Sequence, residues 1–81
     1  MLSNEVLEQQ LNGLDDVHYA IVEGDGYHYQ LTIVSNGFTG KTKVARQQWV
    51  YGQLKDYISS GSLHAITMKT FTEEEWRNQN G

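Results

Sequence analysis

The sequence predicts a small α+β domain, and three local patterns carry that prediction. Leucines recur at helical spacing near the start, at Leu7, Leu11 and Leu14. Two alternating apolar runs then flank Gly24-Asp25-Gly26, which supplies the positive-φ positions of a hairpin turn. Near the end, Thr72-Glu73-Glu74-Glu75-Trp76 is a capping box: the Thr72 hydroxyl can accept from the Glu75 N–H, and the Glu75 carboxylate can reach back. The resulting order is helix, hairpin, helix pair, strand and short helix, or αββααβ(α). A chain of 81 residues has room for one core, so residues 1–81 are expected to form a single domain.

Each element has a local reason. The first helix is expected from Ser3 to Asn12, capped by Ser3 or Asn4 and ended by Gly13 in a left-handed conformation. Strand one spans Val17 to Glu23, with Val17, Tyr19 and Ile21 alternating against His18, Ala20 and Val22. Strand two spans Tyr27 to Ser35; its apolar face is Tyr29, Leu31 and Ile33, and His28, Gln30 and Thr32 lie opposite. Asn36 to Gly40 reads as a loop. Thr42 to Ser59 reads as helical, with Val44, Tyr51, Leu54 and Ile58 able to share a face. Gly52 is predicted to split this region, since glycine costs about 1 kcal/mol relative to alanine within a helix. Strand three spans Leu63 to Thr70 and follows the turn Ser59-Ser60-Gly61-Ser62. The last helix runs from Glu73 to Asn78. A right-handed crossover makes strands two and three parallel, so the sheet is three-stranded and mixed.

Composition narrows the function classes. There is no cysteine, hence no disulfide framework and no support for secretion. Met1-Leu2-Ser3-Asn4-Glu5 lacks the basic and apolar regions of a signal peptide. No stretch approaches the ~20 apolar residues of a membrane span, so a cytoplasmic location is expected. Such a small domain buries only about 60% of its unfolded surface, which disfavours a large enclosed active site. The net charge of −4 argues against a chain that coats nucleic acid. Charge is nonetheless uneven: no acidic residue lies between Gly26 and Lys55, a stretch that holds Lys41, Lys43, Arg46 and Lys55. Lys41, Lys43 and Arg46 form a candidate partner or nucleic-acid surface; the plainer reading is a solvated helix face.

Enzymatic catalysis finds no foothold. Ser59, Ser60 and Ser62 lie in an ordinary turn, and Glu73-Glu74-Glu75 suits a helix start, where the dipole favours carboxylates. Ser35 to Thr42 imitates a phosphate-binding loop, but Ser35 stands where that motif needs glycine. Gly37-Phe38-Thr39-Gly40 has the spacing of a nucleic-acid clamp, yet it precedes the helix pair instead of joining its two helices. Of His18, His28 and His64, no two are spaced as a metal pair on one helix, so no self-sufficient zinc site is expected. His64 has two readings: a strand-edge histidine with local hydrogen bonds, or an imidazole ligand near the surface.

The run Leu63-His64-Ala65 followed by Thr72-Glu73-Glu74-Glu75-Trp76 resembles the C-terminal half of the BolA-like family, with its histidine at a strand start and its "T-x-x-E-W" helix. Gly24-Asp25-Gly26-Tyr27-His28-Tyr29 is similar to the family's "G-D-G-S-H-F" hairpin. Phe38-Thr39-Gly40 is similar to its "F-x-G" turn, and Gln47-Gln48-Trp49-Val50-Tyr51 to its "Q-Q-x-V-Y" helix. The four pieces occur in order over nearly the whole chain, in the manner of the short IbaG-like subtype.

The resemblance implies a topology like a type II KH domain. It also implies a non-enzymatic role in iron–sulfur cluster metabolism and stress response, through a [2Fe–2S] cluster shared with a monothiol glutaredoxin. In that arrangement the glutaredoxin contributes a cysteine, glutathione a second thiolate, and the BolA-like chain His64 and one further ligand. Iron–sulfur clusters are normally held by thiolates, though histidine can replace cysteine. A chain without thiolates is therefore expected to hold no cluster alone. Relatives carry Cys or His in the hairpin; here Asp25 occupies the turn and His28 is the nearest histidine, the secondary ligand candidate. A hydrogen-bonding or structural role is the plainer reading of His28, and His18 is expected to be a surface residue. The Gly24–His28 turn is expected near His64, with Lys43, Arg46 and the edge of strand three bordering the partner. The rival implication is a DNA-binding transcription regulator using the basic helix face. Alone, the chain is expected to be a monomer or weak homodimer.

Overall fold

The computed structural model describes residues 2–80. Met1 and Gly81, the outermost residues of the expected domain, lie outside the described residues. Helix α1 covers Asn4–Asn12; the Ser3 hydroxyl accepts from the Val6 N–H at 3.2 Å, and Gly13 ends the helix at φ −79°, right-handed and not left-handed as expected, because its N–H still donates to the Gln9 carbonyl as in a helical turn. Leu7 and Leu11 are fully buried, each worth about 1.5–3 kcal/mol of transfer free energy.

The chain then forms β1 (Tyr19–Gly24) and β2 (His28–Val34), an antiparallel hairpin. A single 3₁₀ turn at Asn36–Phe38 leads to α2 (Lys43–Gln53), α3 (Lys55–Ser59), β3 (Ala65–Phe71) and α4 (Glu73–Asn80). β3 pairs with β2 in parallel, so the three-stranded mixed sheet has β2 at its centre.

One face of the sheet carries Ala20 and Val22 from β1 and Tyr29, Leu31 and Ile33 from β2, all in the same core cluster as Leu7, Leu11, Val50 and Leu54. Ile66 and Met68 of β3 pack against this cluster. On the opposite face, Trp76 of α4 covers one end, its ring centroid 5.8 Å from Tyr19 and 5.3 Å from Phe71.

Several expectations are corrected. β1 begins at Tyr19 and turns Ala20 and Val22 inward, leaving Tyr19 and Ile21 on the other face. The expected loop after β2 contains the 3₁₀ turn because Phe38 is drawn into the core, edge-on to Trp49. The helices part at Leu54 and not at Gly52. Gly52 stays helical with open space around it, whereas Leu54 is fully buried and its N–H bonds the Val50 and Tyr51 carbonyls, fixing the corner. The inward stripe here is Arg46, Val50 and Leu54, at helical spacing; Val44, Tyr51 and Ile58 are exposed.

The outer edge of β1 is closed by side chains of α1. Asn12 Nδ2 donates to the Ala20 carbonyl at 3.1 Å, and Asn12 Oδ1 accepts from the Ala20 N–H at 3.0 Å. Glu8 Oε2 accepts from the Val22 N–H at 3.1 Å, and Asn4 Nδ2 donates to the Gly24 carbonyl at 3.2 Å. Among the described residues, no such stripe of side-chain hydrogen bonds covers β3.

Candidate functional site

A histidine-bearing groove forms where β2 and β3 both begin. The parallel register sets His28 opposite Ala65, so His64 lies beside the start of β2. Both histidines line an open groove of about 960 Å³, together with Asp25, Tyr51 and Ile58. The His28 side chain is 78% exposed and its imidazole is free to meet another molecule. His64 is also exposed.

Each flank of the groove has a backbone cause. At the hairpin, Asp25 Oδ1 accepts from the N–H groups of Tyr27 and His28, both at 2.9 Å. Those bonds, His28's foremost, hold the Asp25 carboxyl below its ordinary value, because they favour the charged form. Its other oxygen lies 3.7 Å from His28 Nδ1. Gly24 has φ +150°, and a Cβ there would sit 2.1 Å from the His28 carbonyl oxygen, so the hairpin requires glycine.

On the other flank, the Ser62 and Leu63 N–H groups both donate to the Tyr57 carbonyl at the end of α3. Leu63 is buried by this tie, and β3 starts only at Ala65. His64 therefore sits in the connection just ahead of the strand. Gly61, at φ +79°, makes the preceding turn. Sequence periodicity missed Tyr51 and Ile58 as lining residues, because their spacing reads equally well as core.

The other candidates separate from this groove. The His18 N–H donates to the Val34 carbonyl at the far end of β2, about 20 Å along the strand from His28. Its Nε2 lies 3.3 Å from Glu73 Oε1.

Arg46 does not belong to an exposed basic surface. It is only 7% exposed, and its guanidinium forms a two-point pair with Glu75 at 2.7 and 3.3 Å. It also donates to the carbonyls of Lys41 at 3.0 Å and Thr70 at 3.4 Å and lies over the Phe38 ring. Burial of the cation is tolerated because each face of its fork has an acceptor. Glu75 completes the capping box, accepting from the Thr72 N–H at 2.8 Å. Its bonds from Arg46, then from Thr72, hold its carboxyl below the ordinary value. Lys41 and Lys43 remain exposed.

Among the described residues, no three His, Cys, Asp or Glu side chains converge to hold a metal ion, and no helix is long and apolar enough to cross a membrane.

A family model described as "BolA-like protein" matches residues 4–75. The chain belongs to the BolA-like family. It is 40% identical over 78 residues to the acid stress protein IbaG of Escherichia coli K12, covering 94% of this chain and 89% of that one. It is 29% identical to the DNA-binding transcriptional regulator BolA of Haemophilus influenzae, covering 99% of this chain and 86% of that one. Among solved structures, a BolA homologue from Coxiella burnetii superimposes with TM-score 0.79 at 31% identity, covering 95% and 99% of the two chains. The BolA domain of SufE1 from Arabidopsis thaliana does so with TM-score 0.76 at 29% identity, covering 93% and 99%. The histidine groove thus lies within a BolA-like fold, and the hairpin and β3 start that build it fall inside the matched residues.

Proposed function

We propose that this BolA-like chain is a non-enzymatic adaptor that shares a [2Fe–2S] cluster, as cargo, with a monothiol glutaredoxin and glutathione. One observation carries the reading: His64 and His28, from neighbouring strand starts, are exposed along a single open groove. The donor set fits the chemistry. Imidazole can replace thiolate on one iron of such a cluster. Two imidazoles supply two of the cluster's four ligands, and the two thiolates must come from outside a chain that has no cysteine. His64 is the principal ligand and His28 the second. Asp25, beside His28 Nδ1, suits the outer role of orienting a ligating imidazole.

The test is to mix the protein with cluster-loaded monothiol glutaredoxin and glutathione and record visible absorption and circular dichroism. His64→Ala should alter the spectrum of the complex while its stability stays within about 0.5 kcal/mol of wild type, as for other exposed sites. His28→Ala should alter it less. A wild-type spectrum from the His64→Ala complex would remove His64 as a ligand. Stable cluster reconstitution on the chain alone would remove the shared-ligand scheme.

A DNA-binding regulator is the second reading, favoured by the name of the Haemophilus influenzae relative. With Arg46 committed to Glu75, its basic face reduces to Lys41 and Lys43. Two phosphate contacts give a shallow salt dependence, a slope of about −2 in log K against log salt. Sub-micromolar, sequence-specific binding at physiological salt would make this reading primary.

A further inference from the structure

We propose that the outer edge of β3 binds an extended acidic peptide segment of a partner protein as a fourth strand. The direction of the edge groups follows from two hydrogen bonds. The Phe71 carbonyl faces β2, where it accepts from the Ser35 N–H at 2.8 Å. The Thr70 carbonyl faces the other way and accepts from Arg46. Backbone groups alternate sides along a strand, so Ile66 and Met68 also aim their N–H and C=O groups outward. β3 is the terminal strand of the sheet. Among the described residues, no side chain bonds the outward groups of Ile66 or Met68, whereas β1 has its equivalent groups covered. An unpaired row of this kind is the template used in strand addition.

The flanks of the edge select the charge. An open groove of about 630 Å³ runs between β3, α2 and α4. Lys43 lines it on the helix side and Lys69 on the strand side, and both are exposed. Its one carboxylate among the described residues, Glu75, is paired with the guanidinium of Arg46. Side chains of an added strand alternate between the two faces of the sheet, so one set would meet Lys43 and the other Lys69. Acidic residues on both faces complement that pattern. Ile66, at the other end of the edge, lines the histidine groove, so the same surface continues toward His64. The inference goes beyond the cluster reading and requires no cluster.

The test uses the isolated, cluster-free protein, labelled with ¹⁵N. It is titrated with an alternating glutamate–valine octapeptide, and separately with a lysine–valine one, both capped. The acidic peptide should slow amide exchange at Ile66 and Met68 and lose affinity as salt rises, while the basic peptide leaves both amides unprotected. Met68→Pro removes one outward N–H and no bond to β2, a change that an edge strand accommodates. It should abolish the protection while the far-ultraviolet circular dichroism is retained. Should that variant unfold, the double reversal Lys43→Glu with Lys69→Glu should switch the preference to the basic peptide. Equal protection by both peptides, no protection at millimolar peptide, or binding unchanged in the variants would overturn the proposal. Concentration-dependent protection without peptide would overturn it too, by assigning the edge to a second copy of this chain. None of these outcomes bears on the spectral test of His64.

Discussion

The two edges of the sheet are finished in opposite ways. Along β1, Asn4, Glu8 and Asn12 recur every four residues on one stripe of α1 and bond the outward groups of Gly24, Val22 and Ala20. Along β3, among the described residues, Arg46 alone reaches over, to the Thr70 carbonyl, and its main commitment is to Glu75. A polar stripe that looks solvent-facing is therefore structural on one side of the molecule. On the other side the backbone itself is left available, beside both lysines and the histidine groove. Sheet edges invite pairing with other chains, so closing one and leaving one open directs association to a single side.

The comparison can be broken at four points, taken from the largest expected effect to the smallest. Gly24 joins the closed edge to the histidine groove. Gly24→Ala forces a Cβ against the His28 carbonyl oxygen and should cost about 3 kcal/mol in urea unfolding. It should also shift the amide resonances of His28. An unchanged hairpin would mean that the close approach is not a constraint. Arg46→Met removes the cap on the Thr70 carbonyl of the open edge and the partner of Glu75. A loss of about 2 to 3 kcal/mol is expected, as for hydrogen bonds between charged groups at a partly buried site. Stability equal to wild type would return Arg46 to the role of a surface cation.

Asn12→Ala opens the β1 edge by deleting both bonds to Ala20. The expected cost is about 1 to 2 kcal/mol, with self-association appearing on sedimentation as concentration rises. A variant that remains monomeric would show that the stripe stabilises the edge without guarding it.

The smallest effect concerns acid. Glu75 has its carboxyl held below 4.5 in the folded protein, so it binds protons more weakly there than in the unfolded chain. Its contribution is fully present above about pH 4.5 and is lost as pH falls through the lower folded value. Asp25 behaves in the same sense below its ordinary 3.8. Urea midpoints taken from pH 6 down to pH 3 should fall, and Glu75→Gln should flatten the part of that fall nearest pH 4.5. An identical acid limb in the variant would place the linkage elsewhere.

Local signals in the chain were enough for several of these features. Ser3 begins α1, Gly24-Asp25-Gly26 turns the hairpin, and Thr72 with Glu75 starts α4, because a cap or turn depends on donors and φ angles a few residues apart. The alternation of Tyr29, Leu31 and Ile33 was equally legible, since a central strand has one apolar face. His64 stood out through the resemblance of Leu63-His64-Ala65 to the BolA-like strand start, and not by a local signal alone. Tertiary packing decided the rest. Ala20 and Val22 face inward, although Tyr19 and Ile21 are just as apolar, because α1 lies on that side and Trp76 covers part of the other. Arg46 is buried because Glu75, remote in sequence, supplies both acceptors for its fork. His28 and His64 come together only through the parallel register of β2 and β3, and no pattern within either segment encodes the pairing of two segments separated by a helix pair.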